Sequence, residues 1–172
     1  NSNSELIRQA VAANENTPGE VLAGFMTTES LWPDIAYNPS TPVHILVQLY
    51  KDHSWNNSSI KIALAKNKST PKDILSSISE FSTDGYVQIA AALNPSADPE
   101  IKRNIAKKGR YEARHVLSYS DTPPDILEIL SIDPEENIRN NVAENHNTSS
   151  EVLERMAVSD SSELVQFYAK LN

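Results

Sequence analysis

A phrase that returns along the whole chain constrains what this sequence can fold into. "IAYNPSTPVHILVQL", from Ile35 to Leu49, comes back as "LAKNKSTPKDILSSI", from Leu64 to Ile78. Its Asn recurs at Asn14, Asn38, Asn67, Asn94, Asn145 and Asn172, with Ser120 in the same place once, at spacings of 24 to 29 residues. A fixed period of this length is the signature of a solenoid, in which one unit cannot bury its apolar face alone and stacked copies can.

The prolines fall into the same frame. Pro18, Pro42, Pro71, Pro99 and Pro123 each follow Thr17, Thr41, Thr70, Asp98 or Thr122, and a sixth copy reads Thr148-Ser149. Thr or Asp is a good N-cap, and Pro at the first helical position gives up only an N–H without a helical partner. Glu20, Asp73, Asp125 and Glu151 stand three residues after the cap, as in a capping box. Apolar residues then follow at helical spacing, as in Ile45, Leu46, Leu49 and Ile74, Leu75, Ile78. A helix is therefore expected to start at each Thr-Pro.

Another helix should lead into each Asn. Seven residues before it sit Ile7, Leu31, Ile60, Val87, Ile138 and Val165, and three before it Val11, Ile35, Leu64, Ala91, Val142 and Ala169. Positions four apart share one helix face. Asn tolerates left-handed backbone and is expected to stop the helix there. Pro33 fits only a first turn, so the helix of copy two should be short and irregular. Copy five, "ARHVLSYSDTPPDILEIL", is one residue short and its corner stays open between Tyr119 and Ser120.

"IRQAVAANENTPGEVLAGF", "IKIALAKNKSTPKDILSSI" and "IRNNVAENHNTSSEVLERM" resemble the leucine-rich repeat variant family, over Leu6 to Asn172. The resemblance implies short helices, some α and some 3-10, stacked into a right-handed superhelix that serves as an interaction scaffold. A member of that family holds a cysteine-bound iron–sulfur cluster ahead of its repeats. This chain has no cysteine, so nothing of that cluster carries over. A HEAT-like array with two α-helices per repeat is the nearby alternative.

Composition narrows function further. Without cysteine there is no disulfide, zinc ribbon or thiolate nucleophile. The net charge of −8 disfavours nucleic acid, whose binding rests on Lys and Arg. No apolar run approaches the ~20 residues of a membrane span. The start at Asn1 rather than Met leaves open a fragment of a longer protein, and the compartment stays open with the cytoplasm favoured. The glycines Gly19, Gly24, Gly85 and Gly109 are isolated, and His44, His53, His115 and His146 lack ligand spacing. No catalytic residue, metal or cofactor is expected.

Three features bear on binding. Six residues before the Asn stand Arg8, Trp32, Lys61, Gln88, Arg114, Arg139 and Gln166. They read either as a weak stripe for an acidic partner or as a structural hydrogen-bond ladder between copies, and the acidic chain favours the ladder. Five residues and one residue before the Asn, away from the core side, the chain shows Ile62, Ile89, His115 and Phe167, and Tyr37, Leu93 and Tyr119. These are either a partner surface or are covered by neighbouring helices. Finally, the insertion "YKDHSWNNSS" groups Asp52, His53 and Trp55 in a polar loop.

The expected fold is all-α, a right-handed α-solenoid of about six and a half repeats of roughly 26 residues, forming one helical-repeat domain over residues 1–172. The expected function is non-catalytic binding of a protein or peptide partner, through Tyr37, Ile62, Ile89, Leu93, Tyr119 and Trp55. The alternative is a nucleic-acid-binding HEAT-like array, and self-association stays open.

Overall fold

A computed structural model describes residues 2–53 and 56–172, with Ser2 and His53 described by their backbone only. The described residues are 72% helical and contain no strand. The backbone forms two compact units, Asn1–Asp98 and Pro99–Asn172.

In the first unit, α1 (Ser2–Ala13), α3 (Trp32–Tyr37), α5 (Ser58–Lys66) and α7 (Gly85–Leu93) pack in sequence, each on the next. The alternating helices are α2 (Gly19–Gly24), α4 (Val43–His53) and α6 (Lys72–Phe81). α4 packs on α3 and α5, and α6 on α5 and α7. Copy two is irregular as expected: two 3-10 turns, Phe25–Thr27 and Glu29–Leu31, precede a six-residue α3 with Pro33 in its first turn. In the second unit, α9 (Tyr111–Tyr119), α11 (Glu136–Glu144) and α13 (Glu163–Leu171) form the row. α8 (Pro99–Lys108), α10 (Pro124–Leu130) and α12 (Ser150–Ser159) alternate with them.

The core follows the sequence frame. Leu31, Ile60, Val87, Ile138 and Val165 are buried, as are Ile35, Leu64, Ala91, Val142 and Ala169. The small residue two before the Asn is buried wherever it is Ala: Ala12, Ala36, Ala65, Ala92 and Ala143. Ile7 departs from the pattern and is exposed, since α1 packs mainly on α3 and the preceding 3-10 turn.

The corners differ from expectation in two ways. Asn does not use left-handed backbone; Asn38, Asn67, Asn94 and Asn145 are extended, and among the described residues no non-glycine residue has positive φ. Extended backbone aims each Asn side chain at the preceding copy. Asn38 Nδ2 donates to the carbonyls of Ala12 (2.7 Å) and Asn14 (2.9 Å). Asn67 donates to Ala36 and Asn38, both at 2.8 Å, and Asn94 to Ala65 (2.6 Å) and Asn67 (3.0 Å). In the second unit Asn145 donates to Ser118 and Ser120, and Asn172 to Ala143 and Asn145. The Oδ1 atom of the same side chain accepts the N–H two residues on, as from Ser69 to Asn67 at 2.9 Å.

Nor does Thr cap the following helix. Thr17, Thr41, Thr70 and Thr148 donate their hydroxyls backward, to the carbonyls of Val11, Ile35, Leu64 and Val142 at 2.5 to 2.6 Å. Pro18, Pro71 and Pro123 are themselves the N-caps, with ψ near 140–147° and no side-chain bond. The proline ring sets the chain direction one residue later than expected, which leaves Thr facing the end of the helix just completed. Where Ser149 stands in place of Pro, its side chain does cap α12, accepting from the Val152 N–H.

Copy five explains itself in these terms. Ser120 spends its hydroxyl and its N–H on the Val116 carbonyl, six residues before Thr122. The buried Thr122 hydroxyl is left with no partner.

Asn67→Ala should lower stability by about 2–4 kcal/mol, because two buried carbonyls lose their donors. Thr70→Ala should cost about 1–2 kcal/mol through one lost bond, and exposed Lys72→Ala far less. Denaturant midpoints that place Thr70→Ala beyond Asn67→Ala would reverse this order of importance.

Candidate functional site

The helix starts decide which side chains remain outside. Asn57 caps α5 by accepting the Ile60 N–H, and Asp84 caps α7 by accepting the Tyr86 N–H at 2.9 Å. With Ile60, Leu64, Val87 and Ala91 turned inward, Ile62, Lys66, Ile89 and Leu93 lie toward the other side. Ile62 and Ile89 are half-buried, and Leu93 is 53% exposed. Together with Tyr86, Pro95 and Lys66 they line a groove of about 370 Å³ between α5 and α7.

Of the residues singled out in the sequence, the structure thus brings Ile62, Ile89 and Leu93 together. Tyr37, 56% exposed on α3, is outside the groove's lining. Tyr119 belongs to the second unit and is 57% exposed. Its ring meets His115 edge-on at 5.2 Å, and His115 lies tilted against Tyr111 at 5.5 Å, so α9 carries an aromatic ridge at four-residue spacing. Trp55 lies outside the described residues. The expected polar loop is partly helical, since α4 continues to His53 and α5 begins at Ser58. Sequence reasoning missed Tyr86 and Lys66 as groove residues. The signal for Tyr86 was present: Asp84, as an N-cap, fixes where α7 starts and so which way Tyr86 faces.

The position six before the Asn has a structural use. Trp32 Nε1 donates to the Met26 carbonyl (2.9 Å), Gln88 Nε2 to Ser82 (3.2 Å), Arg139 Nη1 to Asp133 (2.9 Å) and Gln166 Nε2 to Asp160 (2.8 Å). Each acceptor lies six residues back. In the shortened copy five, Arg114 Nη1 reaches five residues back, to Gly109 (2.7 Å). Two arginines also pair with the next copy. Arg114 binds Asp133 at 2.7 and 3.3 Å, and Arg139 binds Asp160 at 2.9 and 3.1 Å, both through two nitrogens.

No family model matches this chain, and neither does any curated protein. Its structure is similar to the solved structure of a leucine-rich repeat variant with a novel repetitive motif, with a TM-score of 0.70 at 20% identity. The match covers 96% of this chain and 65% of the other. This chain has the leucine-rich repeat variant fold. It spans about two thirds of the length of that protein.

On this leucine-rich repeat variant fold, no group of three or more His, Asp or Glu among the described residues could hold a metal ion. No helix among them is long and apolar enough to cross a membrane.

The Arg139–Asp160 pair is enclosed, with side chains 12% and 5% exposed. Burial pushes the Asp160 carboxyl up, but the Arg139 hydrogen bond, the Ser162 N–H and the Arg139 charge outweigh it and hold Asp160 below its ordinary value. A depressed carboxylate stabilises the fold above its unfolded pKa and loses that contribution as pH falls through the folded one. The denaturant midpoint should therefore drop between pH 6 and pH 3 by more in the native chain than in Asp160→Asn. Arg139→Ala should cost about 2–4 kcal/mol at pH 7, as it leaves Asp160 enclosed without its cation. Equal acid sensitivity in Asp160→Asn would assign the pH dependence to other carboxylates.

Proposed function

We propose that this chain is a non-catalytic repeat scaffold that binds a protein or peptide partner through Tyr37, Ile62, Ile89, Leu93 and Tyr119, which stand five residues or one residue before the repeat Asn or its Ser120 counterpart. The observation that carries this reading is the groove between α5 and α7, where Ile62, Ile89 and Leu93 stand partly open to solvent although the helices around them are packed. Interface cores are depleted in charge and enriched in aromatics, and a few anchors hold most of the binding energy. Tyr37 and Tyr119 supply exposed aromatics at the same repeat position. Trp55 remains a candidate on its sequence context alone.

The nucleic-acid alternative loses support from the arginines. Arg114 and Arg139, two of the four cations of the supposed stripe, are engaged by Asp133 and Asp160 and by corner carbonyls. Phosphate binding would need them free.

A photo-reactive amino acid placed at Leu93 should crosslink a specific protein in an extract of the native host, and the same group at exposed Glu154 should not. Tyr119→Ala should weaken capture while leaving the thermal midpoint nearly unchanged, because half of that side chain already faces water. A large loss of stability with capture intact would assign Tyr119 to packing. A salt-sensitive shift of duplex DNA at physiological ionic strength would favour the other reading.

A further inference from the structure

The groove between α5 and α7 is apolar along its length and cationic at one end. Ile62, Tyr86, Ile89, Leu93 and Pro95 line it, and Lys66 is the one charged side chain in its lining. Lys68 stands at the same end, since the Ser96 hydroxyl next to Pro95 donates to the Lys68 carbonyl at 2.7 Å. Residues 56–72 contain Lys61, Lys66, Lys68 and Lys72 and no acid, in a chain whose net charge is −8. Among the described residues neither Lys66 nor Lys68 forms an ion pair. Nor are they needed to finish α5: the carbonyls of Ala65 and Asn67 already accept from Asn94 Nδ2.

We infer that this groove takes a peptide segment with two or three bulky apolar side chains and a carboxylate at one end. The inference rests on the scaffold reading above and adds the chemistry of the partner. The apolar side chains lie over Ile62, Ile89 and Leu93, and the carboxylate, from Asp, Glu or a chain end, meets Lys66 and Lys68. A volume of about 370 Å³ lies at the small end of ligand pockets, which suits a few side chains rather than a folded domain. Unpaired cations beside an apolar groove select by sign: an acidic peptide is attracted, and a basic one meets like charge.

The test is panning of a random 12-residue peptide display library against the full chain at physiological salt. Enriched sequences should combine bulky apolar residues with Asp, Glu or a free C-terminus. A synthetic copy of the best peptide should bind Lys66→Glu/Lys68→Glu at least tenfold more weakly, and Ile89→Asp not measurably. Leu93→Asp, at an exposed site, replaces Ile89→Asp if the latter unfolds. Amidating the C-terminus, or changing Glu to Gln, identifies the source of the carboxylate. Apolar peptides that depend on Ile89 but ignore both lysines would overturn the acidic inference and leave the scaffold reading standing. Enrichment indifferent to Ile89 and Leu93, or no enrichment, would remove the groove as the site. Tighter binding of a single-stranded oligonucleotide than of any peptide would overturn both readings.

Discussion

One side-chain amide holds the copies in register. The last carbonyls of a helix have no partner within it and need donors from elsewhere. Here the next copy's Asn supplies two N–H groups to two carbonyls, while its Oδ1 accepts an N–H two residues on. No other side chain of that size offers two donors and an acceptor at once. Asp has no donor, and Ser has one. The position is therefore Asn for a chemical reason, and the ends of α1, α3, α5, α9 and α11 are each completed by the Asn of the next copy. Stability in such a stack is shared between neighbours rather than held by any copy alone.

Ser120 shows what happens without that amide. Its hydroxyl turns back on its own helix, and the Thr two residues on loses the bond that its counterparts make. Copy five still receives a rung, because Asn145 reaches the Ser118 and Ser120 carbonyls. Its further support comes from Arg114, which ties Gly109 behind it to Asp133 ahead. The position six before the Asn thus tolerates Trp, Gln and Arg for one reason. Each has an N–H on a stem long enough to reach a carbonyl five or six residues back, ahead of its own helix.

Much of the frame was legible in the sequence. Period and apolar spacing placed the paired helices and nearly all buried residues, because burial at fixed helical positions leaves a direct record in residue type. The direction of the polar side chains was not legible. Thr-Pro reads as a cap followed by a first turn, and only the backbone angles of the proline show that Thr points backward. Asn reads as a helix stop, and nothing local reveals that its amide serves another copy. A partner 24 to 31 residues away in sequence leaves no mark beyond the repeat itself. The groove was half legible, since exposure follows from helix phase, whereas Lys66 looks like any surface lysine until Pro95 is placed beside it.

This division also bears on where function can reside. In most copies the frame occupies the positions seven, six, three and two before the Asn, the Asn itself and the Thr three residues after it, with Ala97 in place of the Thr after Asn94 and Ser120 in place of the Asn in copy five. What it leaves free are mainly the positions five and one before the Asn, and there the residue type changes from copy to copy. Ile62 and Lys66 stand on α5, Ile89 and Leu93 on α7, His115 and Tyr119 on α9, and Asn140 and Glu144 on α11. The packed positions seven, three and two before the Asn mostly stay apolar or small because the copies solve the same packing problem, and the position six before it holds side chains that reach back with an N–H in Trp32, Gln88, Arg139 and Gln166. The variable positions hold Ile62, Lys66, Ile89 and Leu93 on α5 and α7, aromatic rings on α9 and polar side chains on α11, so the chemistry at these positions changes from copy to copy. A scaffold built on identical corners can hold such a sequence of chemistries without changing its own fold, because none of these side chains takes part in the bonds that join the copies.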